Sequence, residues 1–164
     1  MHIKDVMTGQ VIALKPGDTL KHAISVFARN RITGAPVVDD KGRLVGILTE
    51  MDLLKRLEIG SIEMSLNPVP GTKGALAAEP EGKLHLKTLW EALKAMDHLT
   101  VSNVMTSPVV TVYPDDRVEE KVTLMIHKRI RRLPVVDRNG VLVGIVSRKD
   151  IIRMLARKGK GSGK

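Results

Sequence analysis

Apolar residues in this chain fall into short runs and helical stripes, and nearly every such feature occurs twice. Ala35–Val38 and Leu133–Val136 are apolar enough for buried strands, and Leu44–Leu48 and Leu142–Val146 repeat the pattern a few residues later. The intervening Asp39–Gly42 and Asp137–Gly140 are rich in turn formers, so each pair of runs reads as a β-hairpin. Ahead of each hairpin lies an apolar stripe at helical spacing, Leu20, Ile24, Phe27 and Ala28 in one case, Val118, Val122, Met125 and Ile126 in the other. Asp18 and Asp116 stand where N-caps belong. Still earlier, Val11–Lys15 and Val109–Tyr113 are β-prone and end at Pro16 and Pro114. A second helix closes each set, carrying Leu53, Leu54 and Leu57, or Ile151, Ile152 and Leu155. The predicted order is β-α-β-β-α, twice.

The two sets are copies. RITGAPVVD at 31–39 returns as RIRRLPVVD at 129–137, GRLVGILTEMD at 42–52 as GVLVGIVSRKD at 140–150, and Val6-Met7-Thr8 as Val104-Met105-Thr106. All three recurrences share one offset, since 104 less 6, 129 less 31 and 140 less 42 each give 98. A unit of about 50 residues is marginal as an independent core. Two copies burying equivalent faces relieve that deficit, which predicts a single α/β (α+β) globule with an internal pseudo-twofold axis. The repeats span 1–58 and 100–157. The 59–99 interval opens with a stretch rich in Pro and Gly over 60–83, read as a long loop. It ends in an amphipathic helix with Leu86, Leu89, Leu93 and Met96 on one stripe and Trp90 beside it. Residues 158–164 read as a flexible basic tail.

Composition narrows the function classes. Among 164 residues the only aromatics are Phe27, Trp90 and Tyr113, so stacking of nucleic-acid bases is disfavoured. Cysteine is absent, which removes disulfides, thiolate zinc sites and cysteine nucleophiles. The histidines, His2, His22, His85, His98 and His127, lack metal-ligand spacing, so no metal is expected. No apolar run approaches the roughly 20 residues of a membrane span, and the first residues do not resemble a signal peptide, so a cytoplasmic protein without membrane partners is expected. No nucleophile elbow, dinucleotide fingerprint or phosphate loop occurs, and no catalytic residue is assigned. The formal charge of +9 favours anionic partners.

The chemistry concentrates at two strand-to-helix junctions, Thr49-x-x-Asp52 and Ser147-x-x-Asp150. This spacing is that of a capping box, which often does no more than start a helix. The same geometry suits a ligand. A helix N-terminus presents free N–H groups to phosphate, and a carboxylate there can accept both hydroxyls of a ribose. The matched positions differ in charge: Thr33, Gly34, Glu50 and Met51 in the first copy become Arg131, Arg132, Arg148 and Lys149 in the second.

In combination, Val-Met-Thr, the Pro-Val-Val-Asp strand end and Val-Gly-Ile-(Leu/Val)-(Thr/Ser)-x-x-Asp resemble the cystathionine β-synthase (CBS) domain family, over about 2–58 and 100–157. The resemblance implies a tandem pair, or Bateman module, with two clefts that bind AMP, ADP, ATP or S-adenosylmethionine as regulatory ligands, with no cofactor required. It further implies a non-enzymatic sensor, commonly a homodimer, that acts on a partner protein. Carried onto this chain, the first cleft takes Thr8, Ala13, Thr33, Gly34, Ala35, Thr49 and Asp52. The second takes Thr106, Thr111, Arg131, Arg132, Leu133, Ser147, Arg148, Lys149 and Asp150. The Asp holds ribose, and the backbone before Pro36 or Pro134 lies against adenine or phosphate.

Two other readings compete. The charge and the run Lys128-Arg129-Ile130-Arg131-Arg132 suit a nucleic-acid-binding accessory protein, although charge runs are usually solvated. A dimerisation module with empty clefts is the third, and an acid in both copies weighs against it.

Overall fold

The computed structural model of the chain describes residues 1–57 and 86–159. The loop predicted over 60–83 and the last five residues of the predicted tail lie outside them. A 3-10 turn spans Ile3–Asp5, followed by α1 (Leu20–Asn30), β1 (Gly34–Val38), β2 (Leu44–Thr49) and a helix α2 described over 50–57. Then come α3 (Leu86–Ala95), the single turn α4 (Val101–Val104), α5 (Val118–His127), β3 (Arg132–Val136), β4 (Leu142–Ser147) and α6 (Arg148–Gly159). β1 pairs with β2 and β3 with β4.

The duplication extends to burial. β1 and β3 share one exposure pattern, as do β2 and β4. Leu14, Leu20, Phe27, Ala35, Val37, Leu48 and Leu53 are buried in the first repeat. Their equivalents Val112, Val118, Met125, Leu133, Val135, Val146 and Ile151 are buried in the second. A strand alternates faces and a helix returns every three to four residues, so an identical apolar pattern buries identical positions. Backbone geometry repeats as well. Gly42 and Gly140 close the hairpin turns at φ +76 and +78, where a side chain would be strained. Asp39 accepts N–H bonds from Lys41 and Arg43, and Asp137 from Asn139 and Val141. The Arg43 N–H and guanidinium, with Lys41, hold the Asp39 carboxyl below the usual carboxylate range.

The repeats are not packed as the chain reads. The described residues form two compact units, one drawing on 1–13, 36–46 and the chain from Ser107 onward, the other on 14–35 and the chain between 47 and 106. Each unit is completed by the leader of the other repeat, the segment that runs up to Thr8 or Thr106. In the first unit Ile3 N–H donates to Asp116 O (2.9 Å) and Lys4 N–H to Pro114 O (2.9 Å). Thr8 and Ile145 exchange N–H···O bonds of 2.9 and 3.0 Å. The second unit repeats this 98 residues on: Val101 donates to Asp18 (2.8 Å), Ser102 to Pro16 (2.9 Å), and Thr106 and Ile47 exchange bonds of 2.8 and 3.0 Å. Ile3 and Val101 are fully buried, Ile3 among Val112, Val118, Met125, Leu133, Val135, Val146 and Ile151. Burying such a side chain contributes about 1.5–3 kcal/mol. The leader also covers the outer edge of β4, whose backbone groups would otherwise go unpaired. Lys4 fastens it to Asp115 at 2.7 Å, which holds the Asp115 carboxyl low and the Lys4 amine high.

Several local expectations are corrected. Asp18 and Asp116 do not cap their helices. Their carboxylates accept the N–H of Lys15 and Tyr113, closing the turns after Pro16 and Pro114. Thr19 caps α1 through the His22 N–H, and Arg117 precedes α5 without a side-chain cap. Neither Val11–Lys15 nor Val109–Tyr113 forms a regular strand. In the latter, Val112 alone bridges Val135 in parallel, through bonds to Pro134 O and from the Val136 N–H. Among the described side chains of α3, Ala92 is buried, as is Met96 just past its end, with Leu93 half-buried and Trp90 exposed; Leu86 and Leu89 lie outside the described side chains. α6 continues through Gly159, so the predicted tail begins as helix.

Candidate functional site

Both acid-bearing junctions are reciprocal capping boxes. Asp52 Oδ2 accepts the Thr49 N–H (2.8 Å) and Oγ1–H (2.6 Å), while Thr49 Oγ1 accepts the Asp52 N–H at 3.3 Å. Asp150 Oδ2 accepts the Ser147 N–H (2.8 Å) and Oγ–H (2.6 Å), and Ser147 Oγ lies 3.4 Å from the Asp150 N–H. The capping role is therefore filled twice, and in each it occupies a single carboxylate oxygen. The other oxygen of Asp150 takes the Arg153 guanidinium at 3.3 Å. The N–H groups that follow, at the starts of α2 and α6, remain suited to an anion. Asp150 is 9% exposed and is the only charged residue that counts as buried among the described ones.

Asp150 opens on a cavity of about 370 Å³ lined by Met1, Asp5, Val6, Met7 and Thr8 from the leader and by Arg153, Met154 and Arg157 from α6. Met154 and Met7 supply apolar walls, and Arg153, Arg157, Asp5 and Asp150 bring charges of both signs. Thr111 lies elsewhere in the same unit. It lines a second cavity of about 520 Å³ with Tyr113, Val136, Asp137 and Arg138, which includes neither acid-bearing junction.

The leader exchange regroups the expected site residues. Thr8, which the resemblance places in the cleft of Asp52, pairs with Ile145 on β4 and shares the cavity of Asp150. Thr106, assigned to the cleft of Asp150, pairs with Ile47 on the strand leading to Thr49 and Asp52. Ala13 is exposed and belongs to the unit of Asp150. Thr33 stays beside Thr49 and Asp52: its carbonyl accepts the Glu50 N–H at 3.1 Å, and Gly34 begins β1. Arg131 does the same in the second repeat, accepting from the Arg148 N–H at 3.1 Å. Arg148 and Lys149 are exposed, and Arg148 Nε donates to Ile130 O at 3.3 Å. Arg132 opens β3 half-buried. Ala35 and Leu133 have fully buried side chains, so only their backbones can meet a ligand. Sequence reasoning missed Asp5, Arg153, Met154 and Arg157. The three on α6 follow Asp150 at i+3, i+4 and i+7, a helical face that the spacing alone could have flagged.

Among the described residues no cluster of His, Asp and Glu could hold a metal ion, and no helix is long and apolar enough to cross a membrane.

The family model of the CBS domain matches residues 3–59 and 101–157. An uncharacterised protein of Methanocaldococcus jannaschii is 34% identical over 155 residues, covering 94% of this chain and 91% of that one. Among solved structures, the CBS-pair protein CBSX2 of Arabidopsis thaliana superposes with a TM-score of 0.76 at 25% identity, covering 98% of this chain and 97% of that one. The CBS domain pair of protein MJ0100, solved in complex with 5′-methylthioadenosine and S-adenosylmethionine, superposes with a TM-score of 0.68 at 25% identity, covering 96% and 98%.

Proposed function

From the premise that the chain belongs to the CBS-domain family and carries two CBS repeats, we propose that it is a regulatory module binding an adenosine-type ligand. The carrying observation is the duplicated junction in which an acid caps a helix with one oxygen, set in one case beside a cavity of about 370 Å³. Each element of the junction suits one part of a nucleotide. A carboxylate accepts a cis-diol. Free N–H groups at a helix start favour phosphate. The Met154 and Met7 walls accept an apolar ring face. A second site at Asp52 draws on Thr33, Thr49 and Thr106. Ala13 and Thr111 are assigned to ligand contact by family position alone.

The module performs no chemistry in this reading. It transmits occupancy to a partner protein, and a ligand can shift its conformation only by binding one state better than another. The exchanged leader is the element most directly exposed to that shift, because Thr8 and Asp5 line the cavity while Ile3 sits in the hydrophobic core.

A thermal-shift screen with AMP, ADP, ATP and S-adenosylmethionine tests this. A ligand at a hundredfold excess over its Kd adds about 2.7 kcal/mol of apparent stability. A rise in Tm with at least one compound is expected. No shift with any of them would leave a ligand-free dimerisation module as the better account.

One observation favours a second reading. Arg131 and Arg148 adjoin through a backbone hydrogen bond, and exposed Lys128, Arg129 and Lys149 flank them. Such a patch suits a nucleic-acid backbone. Binding to single-stranded DNA that falls steeply with salt would support it, and none at about 150 mM salt would remove it.

A further inference from the structure

The two junctions agree to within 0.1 Å in their matched hydrogen bonds but differ in one contact. Arg153 Nη1 lies 3.3 Å from Asp150 Oδ1. The matching residue in the first repeat is Lys55, and among the described residues no ion pair joins it to Asp52. Arg153 and Asp150 line one cavity, so the guanidinium stands where a ligand would approach the carboxylate.

We infer that Arg153 sets the charge preference of the Asp150 cavity, disfavouring uncharged and cationic adenosine compounds and favouring anionic ones. The inference rests on the ribose role proposed above for Asp150. A diol that takes up Oδ1 must displace or share the guanidinium, because Oδ2 is already committed to Ser147. An adenosine molecule offers the displaced cation nothing in return. A sulfonium compound adds a cation beside Arg153 and Arg157. A nucleotide brings a phosphate attached to the same sugar, and a long guanidinium one helical turn from Asp150 can pair with it by charge-assisted hydrogen bonds.

Asp5 faces the cavity and counts against an anion, but its Oδ2 is engaged by the His2 N–H at 2.9 Å. Arg157 adds a second cation to the lining. The Arg153 side chain is 53% exposed, so water moderates its pairing and the preference is expected in the range of tenfold.

The test uses the full chain with the other site disabled by Asp52→Asn. Calorimetry gives the affinities for AMP and adenosine with Arg153 intact and with Arg153→Gln added, circular dichroism confirming the fold of each. The expected result is that the preference for AMP over adenosine falls by about tenfold when Arg153 is removed. An unchanged preference with binding intact would overturn the role of Arg153 and leave the site standing. If the Asp52→Asn protein binds neither compound while an Asp150→Asn protein still binds, the ligand role of Asp150 itself fails, and the inference with it.

Discussion

Asp52 and Asp150 each serve two purposes, and substitution separates them. Each carboxylate closes its capping box through Oδ2 alone, accepting the N–H and O–H of Thr49 or Ser147. Asp52→Ala and Asp150→Ala should each cost about 1 kcal/mol of stability, the order of one lost hydrogen bond of the capping box. Neither should unfold the protein, and each should weaken adenosine-ligand binding at its own site. Chemical denaturation together with calorimetry separates the effects, and parental binding in both variants would leave only the capping role. Gly144 gives a sharper residue-scale test. A Cβ there would lie 2.5 Å from Met7 Sδ and 3.2 Å from the Thr8 carbonyl oxygen. The thioether can swing away, but the backbone oxygen is fixed by its bond to Ile145. Gly144→Ala should therefore destabilise by about 1–3 kcal/mol, read as a lowered midpoint in urea. A neutral result would mean that the leader docks less tightly than these distances imply.

At the scale of elements, the exchanged leaders are the feature with most consequence. The fully buried Ile3 of the turn Ile3–Asp5 packs among residues around α5 and β3. Ile3→Ala removes apolar bulk from the core of the second repeat and should cost about 2–5 kcal/mol. The loss should appear as deprotection of α5 and β4 amides in hydrogen exchange. If protection is lost instead only within the first eight residues, the leader is a surface strap and not part of the core. The helices show the same division of labour. α5 and α6 bury Val118, Met125 and Ile151 while leaving Ile126, Ile152 and Leu155 at 67%, 65% and 55% exposure. A helix with apolar residues on two faces has more to cover than its own repeat supplies.

At the scale of the whole molecule, those exposed apolar residues predict self-association. Ile126, Ile152 and Leu155 should lie in a homodimer interface, and light scattering at micromolar concentration should return twice the mass of 18.0 kDa. A clean monomer would count against it. Charge predicts a further asymmetry. Glu50 and Met51 at the start of α2 correspond to Arg148 and Lys149 at the start of α6, and Thr33 corresponds to Arg131. A unit charge about 5 Å from a phosphate is worth roughly 3 kcal/mol at an effective dielectric of 20. AMP should accordingly bind the Asp150 site at least tenfold more tightly than the Asp52 site. Calorimetry of the two single-Asp variants reads this directly. Equal affinities, or loss of the tight site on changing Asp52, would show that these side chains do not reach the phosphate.

The duplication, the helix-hairpin-helix order within each copy and the two acid-bearing junctions were legible in the amino-acid sequence, whereas the leading strand expected in each copy is not formed. Each is written in local signals: alternation for the strands, helical spacing for the stripes, turn formers at Asp39–Gly42 and Asp137–Gly140, and Thr49 or Ser147 three residues before an acid. The N-caps failed at the same scale, because Asp18 and Asp116 had a competing use in the preceding turns. What tertiary structure alone decided is which leader joins which junction. Thr8 lies beside Asp150 and Thr106 beside the strand of Asp52 because Ile3 and Val101 find their cores in the opposite repeat. Two copies with equivalent apolar faces offer each leader two equivalent docking places, and a sequence pattern that repeats after 98 residues cannot tell them apart. Only the folded backbone, through the bonds from Ile3 to Asp116 and from Val101 to Asp18, settles the choice.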